Sequence, residues 1–293
     1  MTTIGIIGTG DMGSAVGAAF RRTGQRVITD LTKRSAASRA LAARAGIEDV
    51  GSLGAVLGAA DLVLSIVPPA VATEVARGVL DAAAGARARA VFVDCNAIAP
   101  QTMSSIGRLL SASQIAVLDV GIIGPAPRVG AKPTRFFVSG EGREKLLELE
   151  VPELAFIDLG TELGRASAIK MVYAAMNKGT DALYTAVLMA AEELGVRAEL
   201  MTEFRASQAH AAERMTERIP YLAATAARFT GEMREIAATF ASAGVTPDFH
   251  RGAEWVYMTL ARTPLAAETR ATLPKHRSLD EALAVYRAAL SKR

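Results

Sequence analysis

The chain has 293 residues, 51% of them hydrophobic and 22% charged, with a formal net charge of +3. That is long enough for two ordinary domains, and no uninterrupted apolar run approaches the ~18 to 20 residues a membrane span needs, so no membrane partner is expected. Its arginines are scattered rather than clustered, which argues against nucleic acid, and the lone Cys95 and the absence of zinc-like Cys, His and carboxylate spacings exclude an internal disulfide and predict no metal.

The first predicted strand, Ile4 to Ile7, runs into Gly8-Thr9-Gly10-Asp11-Met12-Gly13, and a helix is predicted from Met12 to Arg22. This order of strand, glycine-rich turn and helix is the pattern of a dinucleotide site. Gly8 allows the tight turn, Gly10 lets backbone N–H groups approach a pyrophosphate, and Gly13 lets the helix lie close to the sheet. The phosphates would rest at the helix N-terminus, with Asp11 and Met12 in its first turn. The next strand, Arg26 to Thr29, ends at Asp30, whose carboxylate can accept from a ribose 2′-hydroxyl and so favours NAD. Lys33 and Arg34 could instead hold a 2′-phosphate, which keeps NADP open, and Asp30 could be a turn residue before Thr32.

Short β-rich runs continue at Leu62 to Val67, Ala90 to Val93, Ile115 to Leu118, Arg135 to Val138 and Phe156 to Ile157. Helical stretches alternate with them at Ala36 to Arg44, Ala70 to Ala83, Gln101 to Leu110 and Arg143 to Leu149. The alternation predicts an α/β fold, a parallel, doubly wound Rossmann sheet over residues 1–163. Gly121 to Pro133, rich in glycine and proline, is predicted as a loop at the carboxyl edge of the sheet.

After Gly160 strand patterns stop, and residues 164–293 are predicted as an all-helical domain for substrate and dimerisation. A long interdomain helix is expected from Arg165 to Leu194, ended by Gly195, then helices over Glu199 to Arg218, Gly231 to Ala243, Pro247 to Ala261 and Leu279 to Ser291. Thr246 with Pro247 reads as a helix start, and Ser278 with Glu281 as a capping box. The long helix and the alanine-rich composition predict a homodimer. The apolar run and glycine loop begin almost at Met1, so no targeting segment is expected and the expected compartment is the cytoplasm.

Lysine is scarce, and Lys170 lies in an apolar helical stretch just past the predicted domain junction. Ala174, Asn177 and Asp181 share its helix face by spacing. Asn177 reads equally as a helix amide or a substrate ligand, and Lys178 equally as a solvated cation or a site residue. Arg128 and Lys132 could attract an anionic substrate but read more simply as solvated loop charges, and Glu232, Arg234 and Glu235 read as a salt-bridged face, with reach into the cleft as the alternative. Met171, Met176, Met189, Tyr173 and Trp255 read as packing residues, Trp255 in a core or an interface.

The glycine motif, Ser65-Ile66-Val67-Pro68-Pro69, Val93-Asp94-Cys95-Asn96 with Pro100, Asp119 to Gly124 and Gly164 to Lys170 together resemble the β-hydroxyacid dehydrogenase family. The likeness covers essentially the whole chain. Ser167-Ala168-Ile169-Lys170-Met171 and Thr230 to Ala237 resemble a poorly characterised, phosphogluconate-dehydrogenase-like branch of it. The resemblance implies an NAD(P)-dependent oxidoreductase acting on a small hydroxy acid or its semialdehyde, with Lys170 as general acid/base. It also implies Asn96 on the nicotinamide side and Val67 and Pro68 along the nucleoside channel. Burial beside a cationic ring would favour the neutral amine that accepts a hydroxyl proton.

Two departures stand out. Ile123-Gly124-Pro125 replaces the family's Ser-Gly-Gly substrate loop, and Ala174 stands where the family has asparagine one turn after the lysine; Asn177 lies about 10 Å further along the axis than Lys170. Two other readings remain open: an imine reductase-like enzyme, against which Lys170 weighs, and a non-catalytic sensor or assembly protein that binds NAD(P). Oxidative decarboxylation of 6-phosphogluconate fits less well, because the helical half is short and carries no obvious phosphate-binding basic cluster.

Overall fold

Alternation of side chains along the strands builds two apolar layers, one on each side of a single sheet. Ile4, Ile6, Leu62, Leu64, Val91 and Val93 enter one buried cluster, while their neighbours Ile7, Val63 and Phe92 enter the other. In the computed structural model, residues 2–83, 90–111, 113–269 and 272–290 are described. The chain divides into two compact units, Met1–Met171 and Val172–Arg293.

In the first unit the elements are β1 (Thr3–Ile7), α1 (Asp11–Arg22), β2 (Arg26–Thr29), α2 (Ala36–Ala45), β3 (Glu48–Asp49), α3 (Leu53–Ala59), β4 (Leu62–Ser65), α4 (Ala72–Ala83), β5 (Val91–Asp94), α5 (Pro100–Ser111), β6 (Val117–Ile123), β7 (Thr134–Ser139), α6 (Glu144–Leu147), β8 (Leu154–Asp158) and the start of α7 (Arg165–Glu193). The eight strands lie in the order β3-β2-β1-β4-β5-β6-β7-β8. Pairing is parallel from β3 through β6, but β7 runs antiparallel to β6, so the sheet is not parallel throughout as predicted: residues 124–133 join these two strands without the crossover helix that a parallel neighbour uses. Helix α1 supplies Val16, Ala19 and Phe20 to one cluster, and α3, α4 and α5 supply Val56, Ala76 and Ile106 to the other. The sheet is therefore doubly wound, and the strand order reverses direction between β1 and β4, where such sheets bind ligands.

The segment predicted as a loop from Gly121 is strand as far as Ile123, paired Gly121 with Phe137, Ile122 with Phe136 and Ile123 with Arg135. Glycine is required there by a close approach rather than by a turn: a Cβ on Gly121 would stand 2.5 Å from the Ala166 carbonyl oxygen and 3.1 Å from the Lys170 Cβ. The short β3 and α3 carry too few residues for periodicity to reveal them.

The second unit is helical: the remainder of α7, then α8 (Arg197–Ser207), α9 (Ala209–Arg218), α10 (Ala223–Ser242), α11 (Asp248–Ala261) and α12 (Leu279–Leu290). The predicted helix over Glu199 to Arg218 is two helices, because Gln208 at φ −141° and ψ 54° interrupts the ladder. Helix α10 begins eight residues before Gly231, since burial of Ala223, Ala226 and Phe229 on one face outweighs the ~1 kcal/mol cost of a helical glycine. Gly195, at φ +69°, follows the end of α7, and Ser278 and Glu281 exchange both bonds of a capping box. Thr246 accepts from the Asp248 N–H at the start of α11. Ser291, the predicted end of the last helix, lies outside the described residues. Among the described residues no helix is long and apolar enough to cross a membrane.

Candidate active site

The glycine turn after β1 has the shape its sequence demands. Gly8 sits at φ +95°, and a Cβ there would fall 2.3 Å from the Ile66 carbonyl oxygen on the neighbouring β4 connection. A Cβ on Gly13 would stand 2.0 Å from the Gly8 carbonyl oxygen, so α1 can lie this close to the turn only without one. A Cβ on Gly10, by contrast, would meet nothing within 4 Å. Gly10 is also the N-cap of α1, and no side chain caps that helix. An uncapped twelve-residue helix with open space at its N-cap, Gly10, offers the backbone N–H groups of its first turn, Asp11, Met12 and Gly13, to an anion, which fits a dinucleotide pyrophosphate.

Asp30 stands directly after β2. Its Oδ1 accepts from the N–H of Thr32 at 2.9 Å and from the Thr32 hydroxyl, which fixes the carboxylate at the strand end. Lys33 and Arg34 are exposed in the same turn, which Arg39 braces through the carbonyls of Thr32 and Arg34.

Asn96, 3% exposed, is a clip between strand ends. Its Oδ1 accepts from the Val67 N–H at 2.7 Å, and its Nδ2 donates to Ser65 and Asp94 at 3.1 and 2.9 Å. The amide thus fixes the backbone at Val67, with the exposed Pro68 following it. Val67 itself packs against the position a Gly8 side chain would occupy, 2.9 Å from that virtual Cβ.

Lys170 lies on the second turn of α7, half-buried, and its amine donates to the Ile122 carbonyl oxygen. Ile123 is 2% exposed, and Gly124, at φ +127°, turns the chain away into Pro125. The ends of β1, β2, β4, β5 and β6 share one edge of the sheet, so Gly8 to Gly13, Asp30, Val67, Asn96, Ile123, Gly124 and Lys170 line that edge together.

The polar stripe predicted beyond Lys170 is employed differently. Asn177 donates to the Tyr173 carbonyl of its own helix at 3.1 Å. Asp181, fully buried, is held by Arg214 at 2.8 Å and Arg218 at 2.9 Å, as a buried carboxylate requires. Lys178 is not a solvated cation: it forms an ion pair with the buried Glu232 and lies 4.7 Å from the centre of the Phe229 ring. Arg234 pairs with Glu254. Met171 and Met189 are buried, but Met176, Tyr173 and Trp255 are 73%, 45% and 46% exposed and do not belong to a core.

Asp119 opens the Asp119 to Gly124 motif, but its sequence neighbourhood assigns it no role of its own. This residue, 1% exposed on β6, accepts from the Ser167 N–H at 2.8 Å and the Ser167 hydroxyl at 2.7 Å. It also receives bonds from Gly164 and Ser139. Burial pushes its carboxyl above the usual carboxylate range, and these hydrogen bonds pull the other way without cancelling the shift. Ionisation therefore costs the fold something, a cost relieved as pH falls through the raised folded-state value. The available signal was the long helix itself, whose start at Leu163-Gly164-Arg165 contains no capping side chain and so needs an acceptor from elsewhere.

Residues 3–149 match the family described as the NAD binding domain of 6-phosphogluconate dehydrogenase, and residues 191–260 match a domain of unknown function, DUF1932. A protein of Methanothermus fervidus, an uncharacterized 28.5 kDa protein in the 7S RNA 5′ region, is 27% identical over 198 residues, 68% of this chain and 74% of its own. Among solved structures, a conserved protein of unknown function with structural similarity to 3-hydroxyacid dehydrogenases is 26% identical, with a TM-score of 0.65 over 88% of this chain and 96% of that one. The 3-hydroxyisobutyrate dehydrogenase of Mycobacterium tuberculosis, solved with L-serine, is 19% identical and shares the fold at a TM-score of 0.66, over 98% of this chain and 99% of that one.

Proposed function

The chain belongs to the β-hydroxyacid dehydrogenase family, and from that premise we propose that it is an NAD(P)-dependent oxidoreductase interconverting a small hydroxy acid and its semialdehyde or keto form, with Lys170 as general acid/base. The observation that carries this reading is the amine of Lys170 seated on the Ile122 carbonyl at the same sheet edge as the open glycine turn. A nicotinamide bound there supplies the hydride acceptor or donor. In oxidation Lys170, as the free amine, takes the hydroxyl proton; in reduction its ammonium returns a proton to the developing alkoxide. The Ile122 carbonyl accepts from the amine in either state, so it holds the side chain in place through the proton transfer. Asn96 keeps the Val67 backbone against the glycine turn. The Ile123-Gly124 step, which has no hydroxyl, leaves recognition of the acid group to backbone N–H groups and shape.

The test is turnover of both reduced and oxidised nicotinamides over a panel of hydroxy acids, aldehydes and imines. Consumption with hydroxy acids or their aldehydes supports the proposal. Turnover confined to imines would make the protein an imine reductase, and tight dinucleotide binding without any turnover would make it a sensor.

Asp30 makes NAD the favoured cofactor, because its fixed carboxylate suits a ribose diol and repels a 2′-phosphate. Asp30→Ser is expected to shift the ratio of kcat/KM values about tenfold toward NADP. An unchanged ratio would remove Asp30 from cofactor selection. We also propose a homodimer, supported by the exposed Met176, Leu183, Phe249 and Trp255 around an apolar groove between α7 and α11. Sedimentation at increasing concentration should show it; a monomer throughout would contradict it.

A further inference from the structure

The start of α7 meets β6 at three points. Ser167 is bound to Asp119, Ala166 and Lys170 lie over Gly121, and the Lys170 amine reaches the Ile122 carbonyl. Two of the three depend on the third. The contact at Gly121 is only close packing, and the contact at Ile122 is one bond at the end of a side chain with four rotatable bonds. The Asp119 carboxylate instead takes donors from Ser167, Gly164 and Ser139, and the Ser139 hydroxyl in turn accepts from the Ala166 N–H at 3.2 Å. All are buried, and together they satisfy N–H groups in the first turn of a 29-residue helix that has no cap in its own sequence.

Lys170 lies three residues, less than one turn, beyond Ser167, so whatever fixes Ser167 against the strand fixes where the lysine side chain leaves the helix. We infer that Asp119 is a positioning residue: its carboxylate clamps the first turn of α7 to β6 and so sets the place of the Lys170 amine at the sheet edge. The inference rests on the reading of Lys170 as the acid/base. Asp119 acts through Ser167 and has no contact with reacting atoms. What matters is its acceptor geometry rather than its charge. An asparagine keeps an oxygen for the Ser167 N–H and can donate to the Ser167 hydroxyl, whereas an alanine keeps neither.

The experiment compares Asp119→Ala, Asp119→Asn, Ser167→Ala and Ser167→Thr. The readouts are kcat, dinucleotide affinity and the NMR signal of Lys170 after reductive ¹³C-methylation, assigned by its absence in Lys170→Arg. Asp119→Ala is expected to lower kcat on the order of tenfold to a hundredfold, the scale of a small misplacement at a reacting centre, with dinucleotide affinity unchanged. Its Lys170 signal should move toward that of the exposed lysines and titrate differently. Asp119→Asn should restore the wild-type signal and most of kcat. Ser167→Ala, which keeps the backbone bond and loses the hydroxyl, should shift the signal in the same direction by less, and Ser167→Thr should leave it unchanged. Should Asp119→Ala not fold, the serine pair decides the matter. An unmoved Lys170 signal in Asp119→Ala and Ser167→Ala, or an asparagine as damaging as the alanine, would overturn the inference. Should Lys170→Arg or Lys170→Ala retain full turnover, the acid/base reading fails while the signal still reports whether Asp119 places the amine.

Discussion

Replacing Lys170 by methionine is expected to lower kcat by about a thousandfold while leaving dinucleotide affinity within about twofold of wild type, the scale of a lost general acid/base. Methionine keeps an unbranched apolar stem of similar length, so the packing of α7 on β6 at Gly121 survives and only the amine is lost. Steady-state kinetics in both directions, with dinucleotide binding followed by fluorescence, separates the two quantities. Arginine is no substitute, since a guanidinium stays protonated at working pH and cannot accept the hydroxyl proton. A methionine variant within threefold of wild type would leave the proton to another group and would remove the main support for the proposed chemistry.

The second large effect lies in the glycine turn, where two substitutions of the same kind should have opposite signatures. Gly13→Ala forces a Cβ to within 2.0 Å of the Gly8 carbonyl oxygen, so α1 must move off the sheet. The expected cost is on the order of 3 kcal/mol in chemical denaturation, the upper range for overpacking at a backbone contact. Gly10→Ala places its methyl in open space, on a backbone at φ −74° and ψ −167° that alanine adopts readily. Stability should change by less than about 0.5 kcal/mol, as for a surface substitution. The methyl nevertheless fills the space before the first turn of α1, and dinucleotide affinity should fall by about a hundredfold through lost approach of the N–H groups. Equal binding by Gly10→Ala and wild type would mean that the pyrophosphate does not rest there.

The parallel strands and the glycine turn were legible because each is a local pattern. Ile4 to Ile7, Arg26 to Thr29 and Gly8 to Gly13 carry their structural requirement within a few residues. The extension of β6 to Ile123 was hidden because Gly121 and Gly124 look alike in sequence. One serves a helix packed against the strand and the other, at φ +127°, a turn. The partners of Asp181 on the polar stripe were hidden for a similar reason. Spacing places side chains on a face, but only the fold brings Arg214 and Arg218 to Asp181. Asn96 and Asp119 show the same limit at the site itself. Asn96 lies just past the end of β5 and Asp119 within β6, and their partners, Val67 and Ser167, lie 29 and 48 residues away. Nothing near Lys178 in sequence announces Glu232, so a solvated cation and a site residue read equally there.

The central claim is that the amine of Lys170 works on a substrate held against a nicotinamide at the carboxyl edge of the sheet. A crystal structure with bound dinucleotide and a hydroxy-acid analogue tests it most directly. The account predicts the pyrophosphate at the first turn of α1 and the Lys170 amine within hydrogen-bond reach of the analogue's hydroxyl. An amine turned away from the analogue, with another side chain on that hydroxyl, would contradict it.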